Sequence, residues 1–428
     1  MRESGNWALL KNAGSTNPNI ISLSRVAKMN FTTAQAVYEK AGGNRSGLPP
    51  WTYNSAELTE LEINEVFLKN WVWLGHISDI PRSGDYKCFD IGHERAVVIR
   101  DESGEVRAFH NLCRHRGSRV VEGEKGHCGK SIICPFHGWT YHLDGSLKNI
   151  PKSSSFPEID QSQYGLKSIK CEVWHGLIFI RFGGEGESIA STFAEAEAEI
   201  GLYNIEQMQP LDKSWRFDYD LDWKSVLDID NEGYHVPIGH PELFDLVGAT
   251  YKDEVLECGL SRAYGSFENR KFKKPLIKSY VETLPQSNYL PKSHESAWIY
   301  WGMFPGIVIT LFPDSIEVYQ VYPIGYHKSV MAGACYALED DRPAMKKARD
   351  LNREINSGVG DEDVNLVKWS AEGMRSSAFQ GAMMSDLELG ICAFQNQLRK
   401  VLPVVKQDQP PAQGSMSLTN QALLDEGT

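Results

Sequence analysis

The sequence predicts an α+β protein, with a small all-β domain first and then a larger domain in which helices cover an antiparallel sheet. Three observations predict it. Between about residues 71 and 182, short stretches such as YKCFDIG, RAVVIRD, EVRAFHN and CEVWHGLIFIRF alternate with turn signals such as DESG and LDG. Residues 297 to 338, from AWIYWGMF through VYQVYPIGYHKSVMAGACYAL, read as several more antiparallel strands. Residues 342 to 378 carry helical spacing, with a break expected near Gly358 and Gly360.

The elements follow in order. Residues 1 to 54 read as a leader without the apolar core of a signal peptide, and Met29 offers an alternative start. SAELTELEINEVFLKN, at 55 to 70, reads as a helix capped by Ser55, opening a first domain over 55 to 182. GGEGE at 183 to 187 reads as a linker, and FAEAEAEIGLYN as the first helix of a second domain over 188 to 405. In WRFDYDL, Trp215, Phe217, Tyr219 and Leu221 share one face of a strand, and residues 222 to 236 switch to helical spacing. The Pro- and Ser-containing stretch 406 to 428 reads as a flexible tail.

Composition narrows the function. Lys and Arg total 44 against 56 Asp and Glu, a net charge of −12 that argues against a nucleic-acid partner. No apolar run reaches the length of about 18 residues that a membrane span needs. The eight cysteines show no disulfide-framework spacing, so a reducing, cytoplasmic setting is expected.

Two short stretches carry the chemistry. CRHRG, at 113 to 117, supplies Cys113 and His115; CPFHGWTY, at 134 to 141, supplies Cys134 and His137. Two thiols and two imidazoles suit a structural Cys2His2 zinc ion or a [2Fe–2S] cluster with two Cys on one iron and two His on the other. Three details favour the cluster. Each loop brings one Cys and one His. Gly117, Gly123, Gly126 and Gly129 permit close backbone approach. The second loop continues towards a hairpin signal at Asp144-Gly145, where a zinc finger would place a helix with a His pair. Cys128 lies near this block and reads as a loop thiol.

C-x-H, an interval, then C-P-x-H-G-W resembles the Rieske motif of the ring-hydroxylating oxygenases. The two extra cysteines of respiratory Rieske proteins would fall near Ser118 and Phe136, and neither is Cys. The resemblance implies a Rieske [2Fe–2S] domain followed by a helix-grip-like catalytic domain.

A second block, DWKSVLDIDNEGYHVPIGHPE at 222 to 242, carries His235 and His240. Pro237 is expected to end the helix, and Gly239 to let the chain fold His240 back towards His235. Two His and a carboxylate would make the facial triad of non-haem iron oxygenases. The block resembles that family's N-W-K…E-N-x-x-D/E-x2-H-x4-H pattern, departing at Asp222 and Ile229, where Asn is common. By the same resemblance the third ligand is Asp363, from DEDVNLVKWSAEGMR, with Asp361 and Glu362 as rivals. Carboxylates at a helix start also have a plain electrostatic reading. The resemblance gives Glu232 the bridge between a Rieske His of one subunit and an iron-ligand His of its neighbour. Asp228 is a candidate for supporting the iron ligands, and Tyr234 is expected to pack.

The implied activity is that of an oxidoreductase, a Rieske mono- or dioxygenase using O2. Its cofactors would be a [2Fe–2S] cluster and a mononuclear Fe(II). Electrons would come from an NAD(P)H-dependent reductase or a ferredoxin. A homotrimer is implied, with a β subunit possible. The strands after 297 offer Trp298, Tyr300, Trp301, Met303, Phe304, Phe312 and Tyr319 as a pocket lining or as ordinary core. Such rings could stack on an aromatic ring or cage a quaternary ammonium group. EGYHVP…HPEL resembles family members that act on aromatic substrates, which implies a small aromatic substrate; oxidative N-demethylation of a betaine-like quaternary ammonium compound, implied by a Glu at the bridge position, is the rival. A Rieske electron carrier is the reading from another class, and the 246 residues after 182 count against it.

Overall fold

The computed structural model describes residues 29 to 40 and 45 to 427; residues 1 to 28 of the expected leader lie outside the described residues. The chain builds two antiparallel sheets that share a core. The first holds β1 (Val72–His76), β2 (Asp85–Ile91), β3 (Glu94–Arg100), β4 (Val106–His110) and β5 (Lys125–His127), joined by β9 (Ser168–Trp174) and β10 (Leu177–Arg181). Its order is β1-β10-β9-β4-β3-β2-β5. In β2 every second side chain is buried, Asp85, Lys87, Phe89 and Ile91, following the two-residue period of a strand. Three short strands, β6 (Ile132–Ile133), β7 (Thr140–Tyr141) and β8 (Leu147–Asn149), form a small sheet beneath the second Cys/His loop.

The second sheet holds β11 (Gln209–Pro210), β12 (Trp215–Tyr219), β13 (Lys252–Val255), β14 (Ser261–Ser266), β15 (Ala297–Met303), β16 (Ile307–Leu311), β17 (Ile316–Gly325) and β18 (Lys328–Ala337). Its main path runs β11-β18-β17-β16-β15-β14-β13, with β12 also on β18. The two-residue period of the strands splits the apolar residues between two faces. Ile299, Trp301, Ile309, Val318 and Tyr336 pack towards Trp71, Trp73 and Phe179 of the first domain. Trp298 and Phe312 face the other way, against Val236, Leu246, Ala348 and Ile355 on helices. The set expected to line one pocket is therefore divided: Trp301 and Met303 belong to the inter-sheet core, and Phe304 packs on Phe394. Gln320 ties the sheets together, accepting from Trp73 N at 3.0 Å and donating to its carbonyl at 2.8 Å.

The helix expected over 55 to 70 turns into a π-helical stretch at Ile63–Phe67; its α-helical part is Ala56–Glu62, with Ser55 Oγ accepting from Leu58 N. Its last residue explains the D-W-K block. Glu62 is fully buried and accepts from Trp223 Nε1 at 2.7 Å and Lys224 Nζ at 2.6 Å. Asp222 caps the helix Trp223–Asp230 and pairs with Lys224 Nζ at 2.8 Å. This buried triad fixes the start of the segment that carries the second site.

Three expectations are corrected. The helix Pro343–Gly373 runs unbroken through Gly358 and Gly360; both positions are open, and each glycine costs only about 1 kcal/mol against alanine. Residues 406 to 427 are not a loose tail: a helix at Met416–Glu426 buries Met416 and Asn420, and Val404 N donates to Asn420. The described part of the leader is packed as well. Ala34–Lys40 is a helix, Val37 is buried, and Tyr38 donates to the Ser385 carbonyl.

Candidate metal centres

The two Cys/His loops share one local design. Gly117 N donates to the Cys113 carbonyl and Gly138 N to the Cys134 carbonyl, each four residues back. Both glycines have positive φ, 72° and 75°, which a side chain would resist. Gly126 serves differently, since a Cβ there would strike the Tyr86 ring. The thiols of Cys113 and Cys134 are buried, while His137 is exposed and His115 half-buried. Burial pushes the Cys113 thiol up, and Cys134 beside it adds to that. Tyr141 Oη lies 3.2 Å from Cys113 Sγ and accepts from Arg114 N at 3.0 Å. His115 stacks on Trp139 with 6° between the planes, and lies 4.7 Å from the His137 ring. Two buried sulfurs below two outward imidazoles fit the unequal ligation of a Rieske cluster. Cys128 turns away, to the Gly84 carbonyl.

The second group is assembled from distant segments. His235 Nε2 lies 2.9 Å from His240 Nε2. Asp363 Oδ1 lies 3.1 Å from His240 Nε2 and 3.7 Å from His235 Nε2. Adjacent ligands at about 2.1 Å from an octahedral ion sit about 3.0 Å apart, so the donor set fits Fe(II). The other ring nitrogens are held from behind. His235 Nδ1 meets Glu232 Oε1 at 2.5 Å, and His240 Nδ1 meets Glu362 Oε2 at 2.9 Å. Each carboxylate favours the tautomer that frees Nε2 for a metal. Burial pulls the His240 imidazole pKa down, but Asp363 and Glu362 outweigh it and raise it overall.

Local folding differs from the expected route. The helix ends at Asp230, well before Pro237, which instead opens the short helix Val236–Gly239. Gly239 is needed for space: a Cβ would lie 3.1 Å from both the His235 ring and Leu366. Gly233 has no room either, with Tyr251 pressed against it, and its N–H donates to Asp253. Burial pushes the Asp253 carboxyl up to about 7.

Among the rivals, Asp361 is exposed and Glu362 serves His240. All three acids lie deep inside the long helix, so the helix-start reading does not apply. Asp228 is corrected: it does not support the ligands, because its carboxylate accepts from Tyr53 Oη at 2.5 Å and Gln395 Nε2 at 3.4 Å. Tyr234 does not pack; it is 58% exposed. Sequence reasoning missed Glu362 as the partner of His240. Adjacent helical residues point about 100° apart, so the neighbour of a ligand is the acid that can reach behind one of its histidines.

Residues 70 to 184 match the model of the Rieske [2Fe-2S] domain, and residues 210 to 403 that of the ring hydroxylating alpha subunit (catalytic domain). The glycine betaine monooxygenase oxygenase subunit of Pseudomonas aeruginosa is 27% identical over 389 residues, covering 81% of this chain and 87% of its own length. A solved quaternary ammonium Rieske monooxygenase in complex with L-carnitine superposes with a TM-score of 0.68 at 22% identity, over 83% of this chain and 95% of that one. Naphthalene 1,2-dioxygenase from Rhodococcus sp., bound to indole, gives 0.67 at 20% identity, over 83% and 94%.

Proposed function

We propose, on the premise that this chain belongs to the Rieske non-haem iron oxygenase alpha subunits, that its substrate is a quaternary ammonium compound and its reaction oxidative N-demethylation. The observation that carries the substrate class is the likeness to glycine betaine monooxygenase over 81% of this chain and 87% of that one. When bound, the cluster supplies single electrons and the mononuclear iron activates O2. One oxygen atom enters an N-methyl C–H bond, and the other leaves as water with two electrons and two protons. The N–CH2OH product then releases formaldehyde and the demethylated amine.

The chain's own residues support this chemistry. His235, His240 and Asp363 would hold the mononuclear iron, and a three-ligand set of this kind would leave positions for O2 and substrate. Cys113, Cys134, His115 and His137 hold the cluster in this reading, and Glu232 and Glu362 fix the ligand imidazoles. The domain limits proposed here keep 55 to 182 for the Rieske unit and 188 to 405 for the catalytic unit, the latter extended by the packed helix at Met416–Glu426.

A homotrimer joins the centres in this reading, one subunit's cluster meeting the next subunit's iron through Glu232. Apolar residues exposed around each centre support it: Ile133 and Phe136 beside the cluster loops, and Tyr234, Ile238, Val364 and Trp369 around the triad. An NAD(P)H-dependent reductase or ferredoxin supplies the electrons, and the cytoplasm is the proposed setting. No helix among the described residues is long and apolar enough to cross a membrane.

Hydroxylation of an aromatic substrate is the second reading, favoured by the rings of Tyr300, Phe312 and Tyr319 on the helix-facing sheet surface. A single turnover of the reduced, metal-loaded protein under 18O2 separates the two. Formaldehyde carrying one label from glycine betaine, choline or carnitine is expected. Two labelled atoms in a ring product, with no formaldehyde from any quaternary amine, would overturn the reading.

A further inference from the structure

The helix-facing side of the second sheet carries one carboxylate, Glu317, within a row of otherwise uncharged residues. Cross-strand register places Tyr300, Thr310, Glu317 and Cys335 in one row across β15, β16, β17 and β18. Tyr319, Gly333 and Trp215 form the next row on the same face. Trp215 Nε1 donates to Glu317 Oε1 at 2.8 Å. From the opposite side, the last turn of the helix Trp223–Asp230 brings Asp230, whose Oδ1 accepts from Tyr319 Oη at 2.9 Å.

Two polar atoms in this space have no partner among the described residues: Asp230 Oδ2 and Thr310 Oγ1. Thr310 is fully buried. Among the described residues neither Asp230 nor Glu317 meets a lysine or arginine; their hydrogen bonds come from Tyr319, Trp215 and Cys335. Burial raises both carboxyls, Asp230 to about 7, with Asp363 and Glu317 adding to the effect on Asp230. Two desolvated acids without a counter-ion are costly, and such a cost is typically retained where a ligand offsets it. Asp230 is close enough to the triad to feel the charges of Asp363 and His235. Tyr319 is hydrogen-bonded to Asp230, and Tyr300 lies in the same cross-strand row as Glu317; an aromatic face is a favourable neighbour for a cation.

We propose that Asp230 and Glu317, with the rings of Tyr300 and Tyr319, form the subsite for the substrate's quaternary ammonium head, and that charge, more than ring contact alone, selects it. The proposal rests on the demethylase reading above. The subsite holds the head group by Coulomb attraction and cation–π contact, since an N-alkylated nitrogen has no N–H to donate. It places the methyl carbons between the sheet and the open side of the triad. The unpartnered Thr310 Oγ1 takes a polar substituent of the substrate.

The test is calorimetric binding to the cluster- and iron-loaded protein under anaerobic conditions. The probes are choline and 3,3-dimethylbutan-1-ol, its neutral isostere with carbon in place of nitrogen. Wild type is expected to prefer choline by 100-fold or more. Asp230→Asn and Glu317→Gln are each expected to weaken choline binding 10- to 30-fold and to leave the isostere within two-fold. Asp230→Glu should restore most of the preference, and an unchanged cluster absorption spectrum certifies the fold. Choline affinity within two-fold of wild type in both variants would overturn the subsite while leaving the demethylase reading intact. Equal loss of both probes would also overturn it, since charge would not be the cause. If wild type neither binds nor demethylates choline, glycine betaine or carnitine, the demethylase reading itself fails, and the subsite with it.

Discussion

The two metal centres are built in opposite ways. Only 24 positions separate Cys113 from His137, and each cluster loop closes on itself through a glycine four residues after its cysteine. In the iron triad 128 positions separate His235 from Asp363, and the site is closed only by tertiary packing. Its first segment is fixed by a buried ion triad reaching back to Glu62, and its last by a long helix. A site made of local turns depends on local residues. A site made of converging segments inherits the stability of everything that aims them.

The sharpest test of that contrast is selective loss. Cys134→Ser should abolish the cluster absorption and turnover while the triad still binds iron; His235→Ala should abolish iron binding and turnover while the cluster spectrum persists. Metal analysis and visible spectroscopy on both variants decide it, and simultaneous loss of both metals in either would show that the centres are coupled.

Lys224→Met removes the cation between Glu62 and Asp222, all three nearly inaccessible to water. Leaving those acids buried should cost about 3–5 kcal/mol, read as a lower denaturant midpoint. Iron should be lost at lower denaturant than the cluster, because the helix displaced is the one that leads to His235. Next in size, Glu362→Ala leaves Asp363 in place but frees the His240 ring. It should weaken Fe(II) binding about 10- to 100-fold in a chelator competition, with the cluster untouched. The smallest effect belongs to Gly358→Ala, an open position in the long helix, which should raise the thermal midpoint by the equivalent of up to about 1 kcal/mol.

The same contrast governs what can be read in the chain before folding. Cys113, His115, Cys134 and His137 are legible because the spacing is itself the geometry. His235 and His240 are legible as a pair, though by a different turn from the one expected: Gly239 supplies room and Pro237 starts a helix. Asp363 is reached through resemblance and converges on both histidines. Asp228 is misassigned from sequence because the face a helix turns inward depends on its neighbours, here Tyr53 and Gln395 from far away in the chain. The C-terminal helix is hidden by a Ser- and Pro-containing composition, although MSLTNQALLDE carries enough helix formers once Met416 and Asn420 have a surface to bury against. Neither the row through Glu317 on the sheet nor the approach of Asp230 to it leaves a short-range trace, since register alone unites Tyr300, Thr310 and Glu317.

The unbroken helix Pro343–Gly373 sets a rule for how this chain tolerates change in length. Its 31 residues extend about 46 Å, with Asn352 bonded to Asp314 and Asp363 about three turns beyond. Inserting or deleting one residue between 352 and 363 would rotate Asp363 by about 100° about the axis and slide it about 1.5 Å. No side-chain rotamer recovers that. Point substitutions on the exposed face are cheap, while single-residue indels are expected to be forbidden there. A four-residue insertion, nearly one full turn, would restore direction but miss the histidines by about 6 Å.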